Sequence, residues 1–274
     1  MAYLNRLWSK WMPVSSPTVG VDGKPRLSGV MDTINASDAH GPETRLPAEF
    51  YDPKARQYAD QIAVDEWYSG YADSSEYRRL GVGALLGDVV DNMVKTAAMS
   101  GWYSGTISSS SAGNKDKAIK FAMSGCHDTT IAGILSSIGG FGSGHWPPFT
   151  SSIAIELFSK TDKTATSFLE SLFSRKLAHS ARIPLDKLPE FTRKELGNHY
   201  VRVRYNDRPV RIPGCAAKPQ NHLPGDETFC TLDAFKAIVD KFTPRNWGEE
   251  CRMNLGEGLF GRDDRFKAPS HEIE

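Results

Sequence analysis

Phe121 to Gly140 reads FAMSGCHDTTIAGILSSIGG, and the fold turns on how this stretch is read. A short apolar run, residues 118–123, stops at Ser124-Gly125-Cys126, and a polar cluster follows at once: His127, Asp128, Thr129 and Thr130. Ile131, Ile134, Leu135 and Ile138 then recur at helical spacing until Gly139-Gly140. The pattern predicts a strand, a tight glycine turn and a helix, with His127 and Asp128 at the carboxyl end of the strand. In open α/β sheets ligands bind at that end, and the N–H groups that open a helix favour an anion there. An imidazole and a carboxyl group beside an anion site suit phosphate chemistry, with the acid protonating a leaving oxygen. A plainer reading of the same residues has Asp128 only capping a helix that starts near Thr129.

The rest of the chain sets bounds on that reading. Its 274 residues are enough for one or two domains with a real core. An apolar share of 39% with 24% charged residues is ordinary for a globular protein. Basic and acidic residues balance at 33 each, so no global field favours nucleic acid or an anionic membrane. No apolar run approaches the length of a membrane span. The opening MAYLNRLWSKWMP lacks the continuous apolar core of a secretion signal. It sets Leu4, Leu7, Trp8 and Trp11 on one helical face, which predicts a core-packing helix without a clear N-cap; a membrane-surface helix is the rival. No Cys-x-x-Cys pair occurs among the four cysteines, which excludes a zinc module, and Cys126 is expected as a free thiol at a buried strand end.

Along the chain, residues 12–52 read as irregular, broken by Pro13, Pro17, Gly20, Gly23 and Pro25. Asp52-Pro53 is a helix start, a cap followed by proline at the first helical position, and Ala55, Tyr58, Ile62 and Trp67 are expected to face inward. A second helix is predicted over about 75–99, with Tyr77, Leu80, Leu85, Val89 and Met93 as its stripe. The Ser/Gly-rich stretch 104–117 reads as a flexible loop. Gly139 to His145 lacks the Gly-Lys-Ser/Thr ending of a nucleotide loop and reads as a turn. Residues 152–158 form a strand, and residues 168–199 a charged helix-and-loop segment. Tyr200, Val201, Val203 and Tyr205 form a strand that Asn206-Asp207 turns into a hairpin with Val210 and Ile212. A short amphipathic helix over 232–242 and a polar tail complete the chain.

The string SGCHDTTIAGILSSIG, followed by HWPPFTSSIAIELF and by YVRVRYNDRPVRIPGC at 200–215, resembles the second signature and the C-terminal half of histidine acid phosphatases and phytases. These form a branch of the histidine phosphatase (phosphoglycerate mutase-like) superfamily, and the resemblance runs from about residue 26 to 253. It implies an α/β sheet with flanking helices and a helical cap, divided here into an N-terminal remnant (1–25), the cap (26–103), the loop (104–117), the C-terminal half of the phosphatase domain (118–255) and the tail (256–274). It implies hydrolysis of phosphomonoesters with no metal and no cofactor. His127 would contact the phosphoryl group and Asp128 would donate the proton. The implied partner is a phosphate-ester small molecule, with no nucleic acid and no membrane span. Cys215 and Cys230 flank a Pro/Gly-rich loop, and a bridge between them, of the kind secreted members often carry, stays open with the state of Cys251. Compartment, substrate and oligomeric state stay open as well.

The resemblance also implies something absent. The family's first signature, Arg-His-Gly-x-Arg-x-Pro at the end of the first strand, supplies a histidine nucleophile and two phosphate-holding arginines. No Arg-His-Gly occurs in this chain. The nearest string is Ala39-His40-Gly41-Pro42-Glu43-Thr44-Arg45-Leu46-Pro47, where the leading arginine is alanine and two extra residues intervene. The polar GVMDTINASDA before it is no buried strand, so His40 is expected in an ordered loop of the cap. A thiol route fails because the residue six places after Cys126 is Ala132 rather than arginine, and no Gly-x-Ser-x-Gly occurs.

Covalent catalysis without its nucleophile is not expected to run, so the expectation is a phosphatase fold lacking its N-terminal portion and catalytically incomplete. The missing strand would leave an open hydrogen-bonding edge and a chain of poor autonomous stability. The rivals are a non-catalytic phospho-ligand or protein-binding module, and a phosphotransfer mutase that would return isomerised ester. Arg202, Arg204, Arg208 and Arg211 form a basic cluster; residues 202 and 204 share one strand face, expected to be solvated rather than substrate-binding.

Overall fold

The computed structural model describes residues 1–100, 120–141, 145–160, 183–190, 193 and 196–253; of 98–100 only the backbone is described. The expected loop over 104–117, the polar tail and most of 168–199 lie outside these residues. The chain divides into two compact units, residues 1–70 with 141–149, and residues 71–140 with 150–274.

In the first unit, helix α1 (Ala2–Trp8) buries Leu4 and Trp8 completely, as its apolar face predicts for a core-packing helix. Trp8 stacks on Phe50 and donates its indole N–H to the Glu49 carbonyl at 3.0 Å, so the one polar atom of a buried ring is satisfied. Trp11 stays half exposed. The stretch read as irregular contains helix α2 (Leu27–His40). Its buried residues Leu27, Val30, Ile34 and Ser37 recur at helical spacing, and the polar residues between them lie outward. The reading failed because Asp, Ser, Asn and Gly were weighted as turn formers while the apolar period was too sparse to notice. Helix α3 (Pro53–Asp73) starts as predicted, the Asp52 carboxylate accepting the Ala55 N–H at 2.8 Å. Its stripe is Ala55, Ala59 and Ala63, with Tyr58 exposed, because small residues let α3 approach its neighbours closely. Asp60 on α3 fastens the 145–149 loop, accepting the Trp146 N–H at 2.9 Å and pairing with His145 Nδ1 at 2.9 Å.

The second unit opens with helix α4 (Ser75–Arg78), capped by Ser74 Oγ, which accepts the Tyr77 N–H at 3.1 Å. A π-helical turn over Arg79–Gly83 connects it to helix α5 (Ala84–Ser100). A π turn holds more residues per turn than an α-helix, so it rotates everything after it. The stripe accordingly falls on Val82, Leu86, Val90, Met93, Val94 and Ala97, one residue beyond the predicted Leu85 and Val89, and Leu85 is exposed.

Among the described residues the sheet has five strands: β1 (Ile153–Ser159), β2 (His199–Tyr205), β3 (Arg208–Pro209), β4 (His222–Leu223) and β5 (Asp226–Thr231). Their order is β1-β2-β5-β4 with β3 alongside β2, and every pairing is antiparallel. Asn206 and Asp207 both adopt positive φ, at 46° and 64°, which is the twist a two-residue hairpin needs and which these two side chains tolerate. Val201 and Val203 on β2 are fully buried beneath helix α8 (Leu232–Asp240), whose Leu232, Phe235 and Val239 are also fully buried. Between hairpin and sheet, the short helix α7 (Pro213–Ala216) carries Cys215, which is disulfide-bonded to Cys230 on β5. The last described helix is α9 (Trp247–Glu250).

Candidate functional site

Helix α6 (Asp128–Ser137) forms where the apolar spacing places it, burying Ile131, Ile134, Leu135 and, just past its end, Ile138. It closes on a glycine-dependent stop. The Gly140 N–H donates to the Leu135 carbonyl at 2.8 Å and the Gly139 N–H to Ser136 at 3.1 Å, with Gly139 at φ 72°. The helix is seated by a close approach at Gly133. A Cβ there would lie 2.8 Å from the Tyr71 ring and 3.1 Å from Val82, so only glycine lets α6 rest against the π turn and Tyr71. Burial among these groups pushes the Tyr71 phenol up from its ordinary range, with Tyr77 adding to the shift. Sequence reasoning missed Gly133, Tyr71 and Val82; a glycine inside a strong apolar helix pattern, unfavourable by propensity, was the readable signal.

At the other end, His127 is the N-cap residue with extended backbone, and its carbonyl accepts the Thr130 and Ile131 N–H groups at 3.0 and 3.3 Å. Its imidazole is exposed and makes no hydrogen bond among the described residues. Asp128 is the first helical residue and is half buried, and its Oδ1 accepts the Thr129 N–H at 2.8 Å. Asp128 is thus not the cap residue of the plainer reading: His127 holds that position, and the Asp128 carboxylate bonds the N–H next to its own within the first turn. This end combines helix N–H dipole, imidazole and carboxyl group, which together can receive a phosphoryl oxygen and hand a proton to a leaving group.

The segment before it differs from expectation. The apolar run 118–123 was read as a strand leading into the site, but Phe121–Met123 and the following Ser124–Cys126 form no strand. No hydrogen bond reaches them among the described residues, and Phe121 and Met123 are 82% and 86% exposed. An apolar run becomes a strand only when a neighbour takes its N–H and C=O groups, and no described segment does so. Cys126 is a free thiol as expected but is exposed rather than buried, for the same reason.

His40 ends α2 instead of sitting in a loop, exposed, with Gly41 following at φ 116°. No strand precedes it, as the polar context predicted.

Three arginines of the basic cluster, Arg202, Arg204 and Arg211, are spent on internal partners. Arg202 and Arg204 share one face of β2 and both donate to Glu156 of β1, at 2.8 Å and at 3.1 Å. The rings of Phe158 and Phe229 flank the Arg202 guanidinium at 5.2 and 5.0 Å. Arg204 also donates to Asp207 at 2.9 Å, and Arg211 pairs with Glu227. The hydrogen bonds from Arg202 and then Arg204 hold the Glu156 carboxyl below the usual carboxylate range against the opposing effect of burial. No group of His, Cys, Asp and Glu suited to a metal ion occurs among the described residues, and no described helix is long and apolar enough to cross a membrane.

Comparison with known proteins bears on the same residues. Residues 39–206, more than half of the chain, match the family described as histidine phosphatase superfamily (branch 2). The chain is 31% identical over 248 residues to a probable acid phosphatase of the fission yeast Schizosaccharomyces pombe, with 86% of this chain and 49% of the relative covered. It thus spans about half the length of the curated relative it matches. No solved structure matches the chain. The α/β architecture and these two matches agree, and the chain belongs to branch 2 of the histidine phosphatase superfamily.

Proposed function

We propose that this chain carries the leaving-group half of an acid-phosphatase site for phosphomonoesters: His127 contacts the phosphoryl oxygens and Asp128 protonates the departing alkoxide. The observation that carries the reading is the juxtaposition at α6 of an exposed imidazole, a carboxyl group and a helix N-terminus in a member of this family. The Asp128 Oδ1 accepts the Thr129 N–H, which holds the carboxyl group at the helix start. The nucleophilic half has no counterpart in the sequence, because no Arg-His-Gly occurs and His40 ends a helix rather than a strand. The chain by itself is therefore a catalytically incomplete phosphatase.

The test is phosphate release from an aryl phosphate at about pH 5, with wild type and Asp128→Asn side by side, and inorganic phosphate binding measured on both. Both proteins should bind phosphate, and any turnover the wild type shows should fall about 100-fold or more in the variant. An Asp128→Asn protein as active as wild type overturns the assignment of the proton donor. Failure of both proteins to bind phosphate overturns the site. The absent Arg-His-Gly also favours a second reading, a non-catalytic phospho-ligand module, which predicts binding of intact esters with no release of phosphate.

A further inference from the structure

The π turn Arg79–Gly83 is gripped by the segment that ends in α9. The Trp247 indole N–H donates to the Leu80 carbonyl at 2.7 Å, across 167 positions of sequence. Arg79, the first residue of the turn, pairs with Glu250 at 3.5 Å. Gly83, its last residue, lies so close to the chain leading into α9 that a Cβ there would stand 2.1 Å from the Phe242 carbonyl oxygen. Between them, Val82 rests against Gly133 of α6. Trp247 is 52% exposed, so its place is set by that hydrogen bond more than by apolar burial.

A π turn moves backbone hydrogen bonding from i+4 to i+5, and so holds one residue more than the α form of the same helix. In the α form the Leu80 carbonyl would accept the Ala84 N–H. In the π form that N–H turns to the carbonyl before it, and the indole supplies Leu80 with a replacement. The two forms differ by roughly 100° of rotation between the flanking turns. They make the turn a two-state element of the kind that can couple distant groups. Helix α5 packs on α8, so the rotation would fall on the turn and carry Val82 away from Gly133. We propose that the Phe242–Glu250 segment is a clasp that selects the π form, and that Trp247 is a positioning residue. Through Val82 it keeps α6 seated, and with it the His127–Asp128 end. Only that last consequence rests on the phosphate reading above; the clasp does not.

The experiment compares the full chain with its Trp247→Phe variant, which keeps a ring at the half-exposed position and removes the N–H. Backbone amide exchange is measured on both, and inorganic phosphate is titrated while the His127 resonance is followed. In the variant the amides of residues 84–87, the first turn after the π turn, should exchange about tenfold faster. The Gly133 amide resonance should move, while the fully buried Val201 and Val203 of β2 keep their rates. Phosphate should bind at His127 about threefold more weakly or worse. Unchanged exchange at 84–87 overturns the clasp. So does an equal loss of protection in β2, which marks a general loss of stability and no local one. Faster exchange at 84–87 with Gly133 and the phosphate affinity both unmoved overturns the link to α6. A wild type that binds no phosphate overturns the site assignment instead, and the clasp is then decided by the exchange rates and Gly133 alone.

Discussion

Strand β1 and the segment 121–126 have comparable sequences, IAIELFS and FAMSGC, and opposite fates. β1 is matched residue for residue with β2, Ile153 facing Tyr205 through to Ser159 facing His199, and its Glu156 receives two guanidinium groups from that neighbour. Residues 121–126 form no strand, and their Phe121 and Met123 are exposed. Local pattern makes both capable of being strands; only a partner makes one of them a strand. The candidate pair His127–Asp128 follows directly on that segment, while Arg202 and Arg204, expected on a solvated face, are bonded to Glu156 within the sheet.

Substitutions can break this contrast, and the largest effect belongs to the sheet. Val203→Asp would bury a charge beneath α8 at a fully buried position and should cost more than about 4 kcal/mol, read as loss of a cooperative thermal transition in the second unit. Met123→Asp, with its side chain 86% exposed, should leave monomer stability within about 0.5 kcal/mol. If the two substitutions cost the same, the segment is buried in solution and the contrast fails. Next comes the Cys215–Cys230 bridge, which ties α7 to β5 across a separation of 15 residues. Reducing it or replacing both cysteines with alanine should cost about 3 kcal/mol, seen as a lower midpoint in urea.

A smaller effect, with a pH signature, belongs to Glu156. Its carboxyl is held below the usual range chiefly by the Arg202 hydrogen bond, so its stabilising contribution is complete above the unfolded value and is lost as pH falls through the depressed folded value, below 4.5. Glu156→Gln should therefore destabilise the sheet by about 1 kcal/mol at pH 7 and at pH 5, discounted for partial exposure, and the difference from wild type should shrink in stronger acid. Chemical denaturation across that pH range reads it. A difference that grows on acidification would contradict the assignment.

Legibility in the sequence followed the reach of the interaction that decides each feature. The Asp52 cap on α3, the apolar stripe and glycine stop of α6, and the Asn206-Asp207 turn rest on contacts within a few residues, and all three were readable. Helix α2 was readable in principle from Leu27, Val30 and Ile34, and was obscured by polar residues that suit turns as well as an exposed helix face. The π turn at Arg79–Gly83 was not readable, and after it Leu86 and Val90 are buried in place of Leu85 and Val89, while Met93 is buried as predicted. Glu156 receives its hydrogen bonds from residues 46 and 48 places away, a pairing fixed by sheet register alone. At the candidate site, His127 and Asp128 were legible because they form a local motif. Their support by Gly133 against Tyr71 was not, because it depends on how α6 meets the π turn.

The central claim is that the His127–Asp128 end of α6 receives a phosphoryl group. Titrating inorganic phosphate into the protein while following the histidine ring resonances tests it most directly, with His127→Ala for assignment. The account predicts a saturable shift of the His127 resonance that disappears in the variant, while His145, held by Asp60, stays unmoved. Phosphate that leaves His127 unchanged, or that shifts His145 equally, would contradict it.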